Sequence, residues 1–227
     1  MDIILASGSP RRRELLANAT LDFSIMSVDI DETPDDDEHP KDYIQRMVAS
    51  KAAAAIAQLN LDYKNDKAQL PKLSISLNTP FMILTADTIG VLPDGKTVLV
   101  KPTDREHAYS MWQQMSDNTH QIWTAVQATQ VMLSSADKSD KGLQSVWQQQ
   151  IIERTEVSFV PLTLDMMVAY WNSGEPADKA GGYAIQGLAA AWVTHIQGSY
   201  TNVVGLPLAQ TLALITEATN HHRDDDW

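Results

Sequence analysis

The amino-acid sequence predicts an α/β fold: a mixed, twisted sheet flanked by helices. Three observations predict it. Short apolar runs with strand character alternate with amphipathic helical segments along the chain. One of these runs, Phe81–Ala86, is almost continuously apolar, as a strand covered on both faces must be. Two long β-rich runs, Thr119–Leu133 and Gln148–Val160, follow one another across a polar loop. That pairing is antiparallel, so the sheet cannot be purely parallel.

The elements follow in order. Ile3–Ala6 reads as a short buried strand. Ser9 and Pro10 then mark a helix start, serine at the N-cap and proline in the first turn, with the helix running through Arg11–Leu16. Phe23–Val28 reads as a second strand. From Lys41 to Leu59 the spacing of Ile44, Met47, Val48, Ala52, Ile56 and Leu59 gives one apolar helical face. Phe81–Ala86 ends at Asp87, and Val91–Val100 forms a hairpin turning at Asp94-Gly95. Asp104–Met115 is helical, and the two long strands come next. Leu164–Asn172 is a further helix. Ala177–Ala191, rich in glycine and alanine, reads as irregular. Trp192–Ile196 is a strand and Leu206–Thr216 a closing helix.

The chain has 227 residues, 44% of them apolar, which suffices for one large domain or two small lobes. Residues 1–220 read as a single domain with surface insertions near 62–79 and 134–148, and 221–227 as a disordered tail. The net charge of −12 opposes a general nucleic-acid binder, which would carry a basic face. There is no cysteine, so disulfides, thiol nucleophiles and thiolate zinc sites are excluded. No signal-like segment opens the sequence, and no apolar run approaches the roughly 20 residues of a membrane helix. A cytoplasmic location without membrane or nucleic-acid partners is the expectation.

Five stretches can carry chemistry. In Ser7–Arg13 a strand feeds a Ser/Gly turn and then a helix N-terminus, where free N–H groups and the helix dipole favour an anion. Arg11 and Arg12 add guanidinium forks suited to phosphate. The same residues also fit a plain capped helix with a solvated basic face. Asp87, after a buried strand, sits where open α/β sheets place ligands, and is a candidate general base or metal ligand. It fits a solvated strand end equally well. Seven acids lie between Asp29 and Glu38. Asp31 and Glu32, near a strand end, are candidates for holding Mg²⁺, whereas Asp35–Glu38 read as a solvated loop. Lys101 before Pro102, and Lys51 one turn after Met47, are candidate phosphate partners or ordinary surface and snorkelling lysines. In Glu175–Gly187 three glycines are interleaved with Lys179, Tyr183 and Gln186, an arrangement that suits close approach to a ligand, with the Gln186 amide able to read a base edge. His120, in a strand, reads as structural. Walker-type, dinucleotide-binding, zinc-protease and serine-elbow signatures are absent.

Taken in register, Ser7–Leu16, Asp31-Glu32, Ala86-Asp87-Thr88, Lys101-Pro102, Thr119-His120 with Thr124-Ala125-Val126, Asp178–Gly181 through Ile185-Gln186-Gly187, and Gly198-Ser199-Tyr200 with Val204–Pro207 resemble the Maf-like nucleotide pyrophosphatases over nearly the whole chain. The resemblance implies two lobes around a central cleft, as in Maf and inosine triphosphatase folds. It implies hydrolysis of a nucleoside triphosphate to monophosphate and pyrophosphate, assisted by Mg²⁺ or Mn²⁺, by a possible homodimer. Asp87 would be the general base, with Glu32 and Asp87 holding the metal. Ser7, Ser9, Arg12, Lys51, Lys101 and Lys179 would hold the substrate, Lys101 supporting catalysis. Arg11, Thr88 and Gln186 fall at positions that sort substrates, and this combination is similar to the subgroup acting on dTTP and UTP. Modified pyrimidine triphosphates are further candidates. Val100 stands where the family usually has glycine or glutamate, and Ala184 where it usually has glycine.

Two rivals remain at this level. Asp29-Ile30-Asp31-Glu32-Thr33 after a strand fits the DxDxT pattern of haloacid-dehalogenase-type phosphatases. A non-catalytic nucleotide-binding regulator of cell division would keep the arginines and Gln186 without needing Asp87.

Overall fold

A computed structural model of the chain describes residues 1–64, 79–133 and 142–224. Its elements are β1 (Ile3–Ala6), α1 (Pro10–Asn18), β2 (Ser24–Met26), α2 (Pro40–Lys64), β3 (Phe81–Val91), β4 (Val98–Leu99), α3 (Arg105–Met115), β5 (Thr119–Leu133), β6 (Leu143–Phe159), α4 (Leu164–Asn172), β7 (Val193–Gln197), α5 (Tyr200–Val204) and α6 (Leu208–Asp224). Three short 3₁₀ turns, Glu175–Asp178, Ala180–Gly182 and Leu188–Trp192, fill the stretch read as irregular.

The sheet is mixed, as expected. Its order is β2-β1-β3-β5-β6-β7, with β4 added to β3. β1 runs parallel to both β2 and β3, and all other pairs are antiparallel. On one face, α6 buries Leu214, Ile215 and Ala218 against Leu84, Ala86, Val126 and Ala128. On the other, α2 buries Ile44, Met47 and Val48 against Ile89, Val91, Trp123 and Ala125. A second core lies beyond the sheet's end, where α3, α4 and the 3₁₀ turns bring together Trp112, Tyr170, Tyr183, Trp192 and Phe159. Its rings meet edge-on or tilted at 4.6–5.8 Å, geometry worth about 0.5–1.5 kcal/mol per pair beyond burial.

The structure corrects four expectations. β3 does not end at Asp87 but runs on to Val91, held by an unbroken antiparallel ladder from Phe81↔Val131 to Val91↔Gln121. β6 begins at Leu143, so residues 143–148 of the second expected insertion are strand, paired with β5 and tied by Asn60, whose side chain bonds both Leu143 N–H (2.7 Å) and Leu143 C=O (3.1 Å). Its residues 134–141, and residues 65–78 of the first insertion, lie outside those described. Residues 62–64 continue α2. The closing helix starts two residues later than expected, after Pro207, and runs through the expected tail to Asp224, with the His221 ring 5.8 Å from that of Trp147. The short helix α5 has no strong periodicity to announce it; Ser199 caps it by accepting from Asn202 N–H at 3.2 Å.

Candidate active site

The site exists because β3 outruns β1. Leu84 pairs with Leu5, but β1 stops one residue later at Ala6 and the chain turns into α1. Asp87 and Thr88 therefore stand beyond the end of their neighbour, and they are the only two residues of β3 that are not fully buried. Successive side chains point to opposite faces. Thr85 donates to Val48 C=O of α2 at 2.9 Å, so Asp87 shares that face, while Thr88 turns to α1 and α5.

The gap opens into a cleft of about 810 Å³. Along it lie the residues proposed from sequence other than Asp31: Ser7, Ser9, Arg11 and Arg12 from the β1–α1 turn, Glu32 from the acidic loop, Lys51 from α2, Asp87 and Thr88 from β3, Lys101 after β4, and Lys179 and Gln186 from the far wall. Asp31 and Asp29 are exposed and do not line it.

Lys51 is more than a snorkelling lysine. Only 9% exposed, it places Nζ 2.5 Å from Asp87 Oδ1 and 2.9 Å from Glu32 Oε1. One ammonium thus gathers two carboxylates from separate elements. Partial burial pushes the Glu32 carboxyl up, but the bond and charge of Lys51 outweigh it, and Lys101 and Arg12 add to the effect, so it settles below its ordinary value.

Arg12 is tied on three sides. Its Nε donates to Gly205 C=O at 2.8 Å, Nη2 to Thr88 Oγ1 at 3.0 Å and Nη1 to Ser7 Oγ at 3.3 Å. Burial lowers its pKa, opposed by Asp87 and reinforced by Arg11. The fork is thus preset, with the remaining N–H groups of its two Nη atoms unspent by these bonds. Arg13 is exposed. Ser9 occupies the N-cap position of α1, yet no side chain caps that helix; Ser9 N–H instead donates to Ser7 Oγ at 3.3 Å. The first amides of α1 remain open to an anion.

Asp35–Asp37 are exposed, as a solvated run would be, but Glu38 is held. Arg46 clasps Glu38 through Nε (2.7 Å) and Nη2 (2.6 Å) and donates from Nη2 to Thr33 C=O at 3.0 Å. Tyr43 donates to Glu32 C=O at 2.9 Å. Burial, with the charges of Asp87 and Glu32, pushes the Tyr43 hydroxyl up to about 12, so it remains a donor. Sequence reasoning missed both Tyr43 and Arg46. The one available signal was their place on the first turns of α2, opposite the acids.

The far wall is pinned from behind. Trp112 Nε1 donates to Gly181 C=O at 3.0 Å, Ala184 N–H donates to Tyr170 Oη at 3.1 Å, and the Glu175 carboxylate accepts from Leu188 N–H at 3.1 and 3.2 Å. Lys179 Nζ reaches Glu175 C=O at 2.7 Å. Gln186 is exposed to the cleft and Lys101 sits at its rim.

Among the described residues, no three acidic or histidine side chains form a metal-holding group, and no helix is long and apolar enough to cross a membrane.

Comparison with known proteins fits this geometry. The chain is 67% identical over 224 residues to a dTTP/UTP pyrophosphatase of Psychrobacter arcticus, covering 97% of this chain and 96% of that protein. It is 39% identical over 220 residues to the protein of that name from Pseudoalteromonas atlantica, covering 97% and 98%. Against the one from Vibrio parahaemolyticus it is 39% identical over 217 residues, covering 96% and 97%. The sequence model of the Maf-like protein family matches residues 2–218, and the chain belongs to that family.

Proposed function

We propose that this chain hydrolyses dTTP and UTP to the nucleoside monophosphate and pyrophosphate, by attack of water at the α-phosphorus. The observation that carries the reading is Asp87 held by Lys51 in a cleft that is also lined by an open helix N-terminus with two arginines. The names of its relatives support the same substrates.

The chemistry follows from the placement. Asp87 takes a proton from water, the new oxygen–phosphorus bond forms, and the bond from the α-phosphorus to the bridging oxygen breaks, with pyrophosphate carrying away the electron pair. Arg12, Lys51 and Lys101 neutralise phosphate oxygens, Arg12 at no cost of reorganisation because its fork is already fixed. Gln186 and Arg11 meet the nucleoside from the two sides of the cleft. Glu32 and Asp87, brought to the same end of the cleft around Lys51, are the hard oxygen donors that would hold Mg²⁺ or Mn²⁺. When bound, such an ion supplies charge neutralisation at the phosphate. A cytoplasmic, dimeric enzyme belongs to the same reading.

The dehalogenase-type alternative loses its nucleophile, since Asp29 and Asp31 are exposed and outside the cleft, with Asp31 Oδ1 accepting from Thr33 N–H at 2.9 Å. The test is a panel of nucleoside triphosphates with Mg²⁺ or Mn²⁺ and the products resolved. Pyrophosphate from dTTP and UTP is expected. Orthophosphate, or no turnover of any triphosphate, overturns the proposal.

A further inference from the structure

Behind the far wall, His120 of β5 is fully buried and meets Tyr183 with Nε2 2.6 Å from the hydroxyl. The two rings stand edge-on at 5.4 Å and 86°, and Phe159 packs edge-on against both, at 4.8 Å from His120 and 5.0 Å from Tyr183. Tyr183 is itself 7% exposed and lines the cleft. It sits between Gly182, whose φ is +65°, and Ala184, in the segment that bears Lys179 and Gln186. Several other bonds pinning this segment end on its backbone: Trp112 to Gly181, Tyr170 to Ala184, Val100 C=O to Gly181 N–H at 2.9 Å. The bond to His120 fixes a ring side chain of the segment to β5 of the central sheet.

We propose that the His120–Tyr183 hydrogen bond positions the 179–187 segment for reading the nucleoside, His120 acting as a positioning residue that never touches substrate. The inference rests on the pyrophosphatase reading above. β5 is the strand that also pairs Asp87 with Ala125, so the pair ties the reading wall to the strand ladder that carries the base. A buried polar group in this position is neutral and can form only one N–H bond, which makes the partner specific. Burial lowers the His120 pKa to about 4 and so keeps the ring neutral. Its Nδ1 has no hydrogen-bond partner among the described residues, so the contact of Nε2 with the Tyr183 hydroxyl is the hydrogen bond the ring makes there.

The test compares Tyr183→Phe, His120→Leu, the double variant and His120→Gln in steady-state kinetics on dTTP and dCTP, with Tm measured on each. Tyr183→Phe keeps the ring and removes only the hydroxyl. We expect it to raise KM for dTTP about tenfold, the fold-change of one lost buried hydrogen bond, and to narrow the preference for dTTP, with kcat changed far less. His120→Leu, which alters nothing on the cleft wall, should match it, and the double variant should be no worse than either. His120→Gln, whose amide retains a donor near Nε2, should restore most of the KM. The proposal is overturned if Tm falls while KM and the dTTP preference stay put, or if the two single effects add. Wild-type protein that releases no pyrophosphate from any nucleotide would instead overturn the reading of the function.

Discussion

Lys51 and Asp87, 36 residues apart, face each other at 2.5 Å, and the same ammonium holds Glu32 at 2.9 Å. The cation arrives from α2 and the acceptors from β3 and a loop, so the arrangement depends on tertiary packing and not on any local motif. It points the Asp87 carboxylate into the cleft with its charge balanced before substrate enters. Asp87→Asn keeps the shape and a hydrogen-bond acceptor but removes the base. Pyrophosphate release from dTTP should fall by roughly a thousandfold, within the range of general-base contributions. Nucleotide binding, measured by calorimetry, should change by less than about tenfold. Undiminished turnover would remove Asp87 from the mechanism.

Arg46 reaches the same site at second hand. It clasps Thr33 C=O, one residue after the Glu32 that meets Lys51, and Glu38 five residues further on. The hydrogen bond and charge of Glu38 raise the Arg46 pKa, so the pair stays ionised. The pair lies at the surface with Arg46 about one-third exposed, and surface pairs stabilise by about 0–1 kcal/mol, so Arg46→Ala should move Tm little. Its effect should fall on catalysis, because the loop that delivers Glu32 loses two of its anchors. A drop of about tenfold in kcat/KM with Tm shifted by no more than about 2 °C is expected. A Tm loss without a kinetic effect would make the clasp merely structural.

The sheet and the site differed in how far the sequence exposed them. Strong periodicity in Lys41–Leu59 and the continuous apolar run at Phe81 placed α2 and β3, because burial of one face or both leaves a local signature. The end of β3 was misplaced because Asp87 and Thr88 look like a strand terminus, whereas the break in burial comes from β1 stopping at Ala6. The start of β6 was missed because Leu143–Trp147 alternates weakly and its outward side chains are polar or exposed. Site residues were readable as charges in suspicious places, but their grouping came only through family resemblance. Lys51 shows the limit: on its helix it is one turn from Met47 and reads as snorkelling, and only the β3 partner makes it central. Glu38 is hidden because the loop's charge density resembles solvated sequence, and Arg46 shows only through its place on the second turn of α2.

Gly187 and Glu175 form a second test of the far wall. A Cβ on residue 187 would lie 2.0 Å from Glu175 Oε2, so the carboxylate must withdraw from Leu188 N–H. Gly187→Ala should therefore cost about 1–3 kcal/mol, the penalty for a disrupted charged hydrogen bond, read as a fall in the denaturation midpoint. Glu175→Ala should cost a similar amount alone. The double variant should cost no more than the worse single one, because both remove the same bond. Additive losses would show that the two residues do not act through that contact.

His120 makes stability depend on pH in a definite direction. Burial holds its folded-state pKa near 4, while the unfolded chain's histidine titrates near 6.5. Between these values the unfolded state binds the additional proton. The contribution of His120 is therefore fully present above about 6.5 and is lost as the pH falls towards 4, by about 3 kcal/mol across that window as an order of magnitude. Carboxylates titrate over the lower part of the same range, so the slope of the wild-type curve alone is ambiguous. The comparison with His120→Gln separates them, since that variant keeps every carboxylate and lacks the imidazole. Chemical denaturation from pH 7.5 to 4.5 should give a free energy that falls more steeply in the wild type than in the variant, with the difference growing below about 6.5. Parallel curves would mean that His120 takes up its proton as readily in the fold as in the unfolded chain, which is incompatible with a neutral ring buried against Tyr183.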